Sequence, residues 1–202
     1  MKPSRFSFFN SSKEWFREYD EFYLPYSSTD IMLFNSSLAA ATVKGFEVFT
    51  LDNKQPWSVP DLKAPHVATI AARLQNQAAV AMLRLSDSEF LCCFTECAVY
   101  VNRNGDISRS VIMEYIGNAQ RACLRDDILL LFDKEFVEIR NAQNGRLRQI
   151  ISGDDIKLID DGRRMSGERP LKMVMIDPLD RSRQLLLELV LRDEAEEQGE
   201  SV

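Results

Sequence analysis

Cysteine and histidine are the side chains best suited to nucleophilic or metal chemistry, and this chain uses both sparingly. It has four cysteines, Cys92, Cys93, Cys97 and Cys123, and a single histidine, His66. The best case for an enzyme pairs Cys97 as thiolate nucleophile with His66 as the base that takes its proton. That chemistry also needs a third group to orient the imidazole and an electropositive pocket to lower the thiol pKa. Cys97 instead opens an apolar strand pattern, Ala98-Val99-Tyr100-Val101, which keeps a thiol inert. Cys92 and Cys93 are adjacent, so on a strand they point to opposite faces, and no Cys-x-x-Cys pair or histidine cluster accompanies them to make a zinc site. The four thiols read as small core residues in a reducing compartment. His66 follows Pro65 and reads as a surface or capping residue. The chain has no Gly-x-x-x-x-Gly-Lys-Ser/Thr phosphate loop, no Gly-x-Ser-x-Gly elbow and no His-Glu-x-x-His helix. No catalytic, cofactor-binding or metal-binding residue is assigned, no cofactor is expected, and the function expected is not enzymatic.

The elements that position these residues follow a pattern written twice between Phe90 and Ile151. The first copy runs Phe90-Leu91-Cys92-Cys93-Phe94, a polar break, Ala98-Val99-Tyr100-Val101, and the turn Asn102-Arg103-Asn104-Gly105. The second runs Ile128-Leu129-Leu130-Leu131-Phe132, a break at Asp133-Lys134, Phe136-Val137-Glu138-Ile139, and the turn Asn144-Gly145. Asn-Gly suits hairpins because both residues tolerate positive φ. The two Asn-Gly pairs lie about 40 residues apart, the length of one four-stranded propeller blade. A third copy precedes them: Ile31-Met32-Leu33-Phe34, then Leu38-Ala39-Ala40-Ala41-Thr42-Val43, the turn Lys44-Gly45, and Phe46 to Leu51. Its alanines suit an inner strand crowded near a propeller axis. The interval from Lys44 to Glu96 exceeds the blade period by roughly a dozen residues. Residues 52–77 carry that surplus as an insertion. Pro56, Pro60 and Pro65 deny a continuous ladder, so an irregular crossing is expected, followed by a short helix over Ala68 to Gln77.

The remaining strands are expected at Ala79 to Leu85, Ser108 to Tyr115, Ala119 to Leu124, Arg146 to Ile151 and Lys157 to Ile159. A turn at Asp160-Asp161-Gly162 leads to a polar loop, Arg163 to Pro170. The last pair, Leu171 to Ile176 and Gln184 to Leu191, reads as a hairpin, although the leucines of the second run would also suit a helix. Aromatic residues crowd the first 30 positions, where Lys13 to Tyr19 could form a short helix or turn docked by its aromatic side. The acidic segment 193–202 is expected to be a disordered tail.

A chain of 202 residues, 45% hydrophobic and 28% charged, can bury a core. Its net charge of -6 argues against general nucleic-acid binding. No apolar run approaches the ~18 residues of a membrane helix, and no secretory leader is evident, so an intracellular protein is expected.

The run Glu89 to Phe94, the segment Val99 to Gly105, and the strands Ile128 to Phe132 and Phe136 to Asn141 resemble the citron homology (CNH) domain. Ala39 to Val48 and Ile156 to Gly162 fit the same family, and the similarity extends over roughly Ile31 to Leu191. Each motif is a soft string of strand residues; their order and spacing together carry the resemblance. It is similar in particular to the C-terminal CNH domain of fungal Rho guanine-nucleotide exchange factors.

The resemblance implies an all-β fold: about four blades of a larger CNH β-propeller, in an open arc, with the short helical insertion. Residues 1–192 would form this partial domain. It implies a non-catalytic module for protein–protein interaction and regulation in Rho GTPase signalling, exchange activity residing in a Dbl-homology domain that does not precede this sequence. The partner would be a Rho-family GTPase or the parent exchange factor's own domains, at a contact surface the sequence does not identify. The module would be cytoplasmic, peripheral at membranes through its parent. The alternative is the CNH domain of a vacuolar membrane-tethering protein or of a germinal-centre-type kinase. Complete CNH domains are longer, so the opening blades would be absent. An open arc would leave the apolar face of its first blade and the amides near Leu38 to Val43 to solvent or to another chain, favouring self-association through open propeller edges.

Overall fold

The computed structural model describes residue 21 and residues 23–50, 52, 56–162 and 170–190. The expected aromatic helix or turn at 13–19, the body of the polar loop at 163–169 and the acidic tail at 193–202 lie outside the described residues.

Four antiparallel sheets follow one another along the chain, each with its strands in sequence order. The first blade holds β1 (Ser28–Leu33), β2 (Ser37–Thr42), β3 (Gly45–Thr50) and β4 (Trp57–Val59). A 3₁₀ turn (Pro65–Val67) and α1 (Ala68–Leu74) lead to the second blade: β5 (Ala79–Arg84), β6 (Glu89–Phe94), β7 (Cys97–Asn102) and β8 (Ile107–Glu114). The third holds β9 (Arg121–Arg125), β10 (Ile128–Phe132), β11 (Phe136–Asn141) and β12 (Leu147–Ser152). Among the described residues the fourth holds three strands, β13 (Lys157–Asp160), β14 (Leu171–Ile176) and β15 (Gln184–Leu189).

The burial of each strand explains its composition. β6, β7 and β10 are apolar runs because a blade's middle strands are covered on both faces. The last strands alternate, as in β8, or are exposed along most of their length, as in β12. Val67, Ile70 and Leu74, spaced for one helix face, are all buried. Flanking that face of α1, Arg73 is paired with Glu114 at 2.7 Å and Glu96 at 3.2 Å, tying the insertion to the second blade.

Several expectations change on contact with the structure. The alanine strand β2 is the second strand of its blade, not the innermost, and is paired on both sides, to β1 and to β3. Its small side chains fit a strand enclosed on every side, and its amides are not open to solvent. The outward face of this first blade is also covered: Leu38, Ala40 and Phe49 are buried, with Leu24 packed on them. The helix expected over Ala68 to Gln77 ends at Leu74, and the crossing expected to be irregular up to Pro65 holds a strand, since Trp57–Val59 fits between Pro56 and Pro60 as the outer strand of the first blade. Pro is tolerated there because an edge strand needs ladder bonds on only one side. Gly105 and Gly145 occupy equivalent turns, with φ of +89° and +72°, but neither Asn104 nor Asn144 shares the positive φ. These hairpin loops exceed two residues, so the glycine alone reverses the chain, and the side chains of Asn102 and Asn141 brace the loops by accepting backbone N–H bonds at 2.8 to 3.1 Å. The leucine-rich final run is a strand, held to β14 in continuous register from Leu171↔Leu189 to Ile176↔Gln184.

One core runs through the first three blades and a second joins the third to the fourth. Among the described residues no buried core cluster joins the first blade to the fourth. Among them, too, no helix is long and apolar enough to cross a membrane.

Candidate functional site

The residues with chemical potential are kept apart from solvent or from one another. Cys97 is fully buried in β7, and burial pushes its thiol up to about 11 despite the opposing pull of Arg73. The charged groups that act on it are Arg73, Glu114 and Glu96, not His66, which stands exposed in the 3₁₀ turn. Burial also pushes Cys93 up to about 12, and raises Cys92 well above its ordinary value. The Tyr115 hydroxyl is buried beside Cys93 and has no oxygen or nitrogen partner among the described residues. Among the described residues no cluster of His, Cys, Asp or Glu could hold a metal ion.

Binding potential lies instead at the junctions between blades. At the first junction a groove of about 370 Å³ opens between the β1–β2 and β3–β4 ends of the first blade and the β5–β6 and β7–β8 ends of the second. Buried Val59, Met82 and Val101 are among its lining residues. Three partly exposed aromatic side chains, Phe34, Trp57 and Phe90, also face it, the two phenyl rings meeting edge to face with centroids 5.6 Å apart. Arg84, Asp87 and Arg103 supply its charge. Arg84 is paired with Asp87 at 2.6 Å, whereas Arg103 donates from Nε to the neutral backbone oxygen of Asp87. The walls are stitched together where the Asp61 N–H donates to the Gly105 oxygen at 2.8 Å.

The second junction is a fastening. The Tyr100 hydroxyl, from β7, donates to the Ala142 oxygen of the third blade at 2.9 Å. Arg109 stacks over the Tyr100 ring at 4.0 Å, forks onto Glu89 and reaches across to the Gln143 oxygen at 2.5 Å. The hydrogen bonds from Arg109 hold the Glu89 carboxyl below its ordinary value, against the opposing effect of burial.

The fourth blade exposes apolar side chains among charged ones, Lys172 pairing with Glu188 at 3.5 Å. Leu171, Met173 and Met175 point into the core. On the other face Val174 sits opposite Leu186, which is 67% exposed, and Val190 beyond it is also exposed. Leu147 and Ile150 are exposed on the edge strand β12.

None of these surfaces was assigned from sequence. The groove draws Phe34, Trp57, Phe90 and Arg103 from four separate segments, so no local motif marks it; the Asn-Gly turn at Gly105 locates only one wall.

Residues 2–162 match the family model of the CNH domain, beginning before and ending earlier than the residues that carry the resemblance read from sequence. The chain is 32% identical over 167 residues to the Rho1 guanine nucleotide exchange factor 1 of Schizosaccharomyces pombe, a match covering 82% of this chain and 12% of that protein. It is 26% identical over 130 residues to the RHO1 GDP-GTP exchange protein 2 of Saccharomyces cerevisiae, covering 64% of this chain and 9% of that one. The chain thus spans only a small part of the length of either relative. Among solved structures, the AfRom2 CNH domain superposes with a TM-score of 0.73 at 25% identity, over 87% of this chain and 54% of that one. Sequence and architecture agree: this chain belongs to the CNH domain family.

Proposed function

We propose that this chain is a non-catalytic interaction module that regulates a Rho-type exchange factor, binding either the GTPase or the exchange factor's own catalytic segment. The observation that carries the reading is the 32% identity, over 82% of this chain, to a protein named as a Rho1 exchange factor. The buried thiols support a module without chemistry of its own, and the groove and the exposed face of the fourth blade supply contact area. Its place would be the cytoplasm, at membranes only through the parent protein.

The test is direct binding. Immobilised chain is titrated with a Rho-family GTPase, in its GDP and GTP-analogue states, and separately with a Dbl-homology plus pleckstrin-homology segment of an exchange factor. Saturable binding to either is expected, with no acceleration of fluorescent-nucleotide release by the chain alone. Absence of binding to both overturns the interaction reading; dose-dependent acceleration overturns the non-catalytic one. A second reading, self-association through the outer face of the fourth blade, is supported by the exposure of Leu186 and Val190.

A further inference from the structure

We infer that the groove between the first and second blades binds a short acidic peptide segment anchored by one large apolar side chain. The inference deepens the interaction reading above and rests on it. Partly exposed Phe34, Trp57 and Phe90 converge on a single concavity, and an apolar anchor entering it would remove their remaining faces from water. The volume, about 370 Å³, falls at the small end of the ~300–1,000 Å³ range of ligand clefts, which suits one large side chain and its flanking backbone.

Charge selects the flanks. The chain as a whole carries -6, yet the groove presents two arginines against one carboxylate. Arg84 is neutralised by Asp87, while Arg103 pairs with no carboxylate among the described residues. Its guanidinium has five N–H donors in a fixed fork, of which the Nε–H is spent on a neutral carbonyl, so it is suited to grip an incoming carboxylate through the others. Asn35 and Ser36, exposed in the β1–β2 loop beside the groove, offer partners for a peptide backbone.

The site is also preorganised. Asn102 accepts bonds from the backbone N–H groups of Asn104 at 2.8 Å and Asp106 at 3.1 Å, fixing the loop that carries Arg103. The Asp61 to Gly105 bond locks that loop to the opposite wall. Less ordering is then charged against binding than for a free loop. A nucleic acid, by contrast, would have to bring many phosphates to a surface whose overall charge repels them.

The probe is a terminally blocked five-residue peptide with a central tryptophan flanked by glutamates, titrated into the full chain and followed by amide and indole resonances. Saturable shifts are expected at Trp57, Phe90 and Arg103. A matched peptide with lysines for the glutamates, and one with alanine for the tryptophan, should each bind at least tenfold more weakly. Arg103→Glu, a change at an exposed side chain, should weaken the acidic peptide at least tenfold with the unfolding midpoint retained; Trp57→Leu provides a second loss through the apolar wall. Equal affinity for the lysine peptide, shifts elsewhere on the arc, an unchanged affinity in Arg103→Glu, or tighter binding of a single-stranded oligonucleotide would overturn the assignment. If the peptide fails while the GTPase or the exchange-factor segment still binds, the groove assignment falls and the interaction reading stands. If the peptide binds and neither protein does, the reverse holds.

Discussion

Replacing Gly105 by alanine should destabilise the arc far more than the same change at Gly145, although the two glycines end equivalent turns. Both sit at positive φ, +89° and +72°, where an L-residue costs about 1–2 kcal/mol. Both substitutions recover about 0.4–1 kcal/mol because the unfolded chain loses freedom. The neighbours differ. A Cβ on Gly105 would stand 2.8 Å from Val59 Cγ2 and 3.6 Å from both Cβ and Cγ1 of that residue. Val59 is buried and β-branched, so rotating it only brings the other methyl forward. A Cβ on Gly145 would meet Met113 Cγ at 3.2 Å, and an unbranched methionine can move aside. Overpacking at Gly105 adds about 1–3 kcal/mol. The expected losses are therefore about 1 kcal/mol for Gly145→Ala and about 2–4 kcal/mol for Gly105→Ala, with midpoint shifts of about 2–4 °C per kcal/mol for a chain of this size. Urea unfolding followed by fluorescence and circular dichroism measures both. In the double variant Gly105→Ala/Val59→Ala the clash should vanish, so the combined loss should fall short of the sum by about 1–3 kcal/mol. Equal losses at the two glycines, or strict additivity with Val59→Ala, would refute the argument that the first two blades are pressed together at this turn.

Glu89→Gln should cost up to about 1 kcal/mol at neutral pH, the scale of a well-formed forked ion pair. Because the folded carboxyl lies below its ordinary 4.5, its contribution is full above that value and lost as pH falls through the folded pKa, so the gap from the wild type should close in acid. A gap that persists at low pH would locate the effect in shape and not charge. The thiols of Cys92, Cys93 and Cys97, buried and raised, should react with a disulfide reagent at pH 8 only as fast as the protein opens; rapid labelling under native conditions would contradict their burial. Leu186→Glu should lower any concentration-dependent rise in mass seen by light scattering, and an unchanged rise would remove this face of the fourth blade from the self-association reading.

What could be read from sequence depended on whether a strand's surroundings were written into the strand itself. Leu91-Cys92-Cys93 and Leu129-Leu130-Leu131 declare two-sided burial by being apolar throughout, and their repeat at a blade's spacing carried the fold. The alanines of β2 were legible only through register with the later copies, and their depth in the blade was not, because small residues suit several enclosed positions. Trp57–Val59 escaped notice because three residues between prolines make no periodic signal, and their pairing with Phe46, Glu47 and Val48 is a long-range choice. Asn-Gly placed the turns but not their geometry, which loop length decides. The groove was invisible for a related reason: its aromatic and basic side chains become neighbours only when two blades pack.

Among the described residues each sheet is built from consecutive strands, and this bears on how the protein is made. The four described strands of the first blade have all been synthesised once Val59 has left the ribosome. Hairpins form in about 1–10 μs, whereas synthesis adds roughly 5–20 residues per second, so each sheet has ample time to pair before the next is complete. The face that β5 will cover must then wait for the chain to reach Arg84, an interval of about 1–5 s at those rates. During that interval Phe46 and Val48 are half of an interface whose other half has not yet been translated. Assembly of the arc is therefore paced by elongation and not by the search for distant strands, and the moment of greatest exposure to aggregation recurs once per blade.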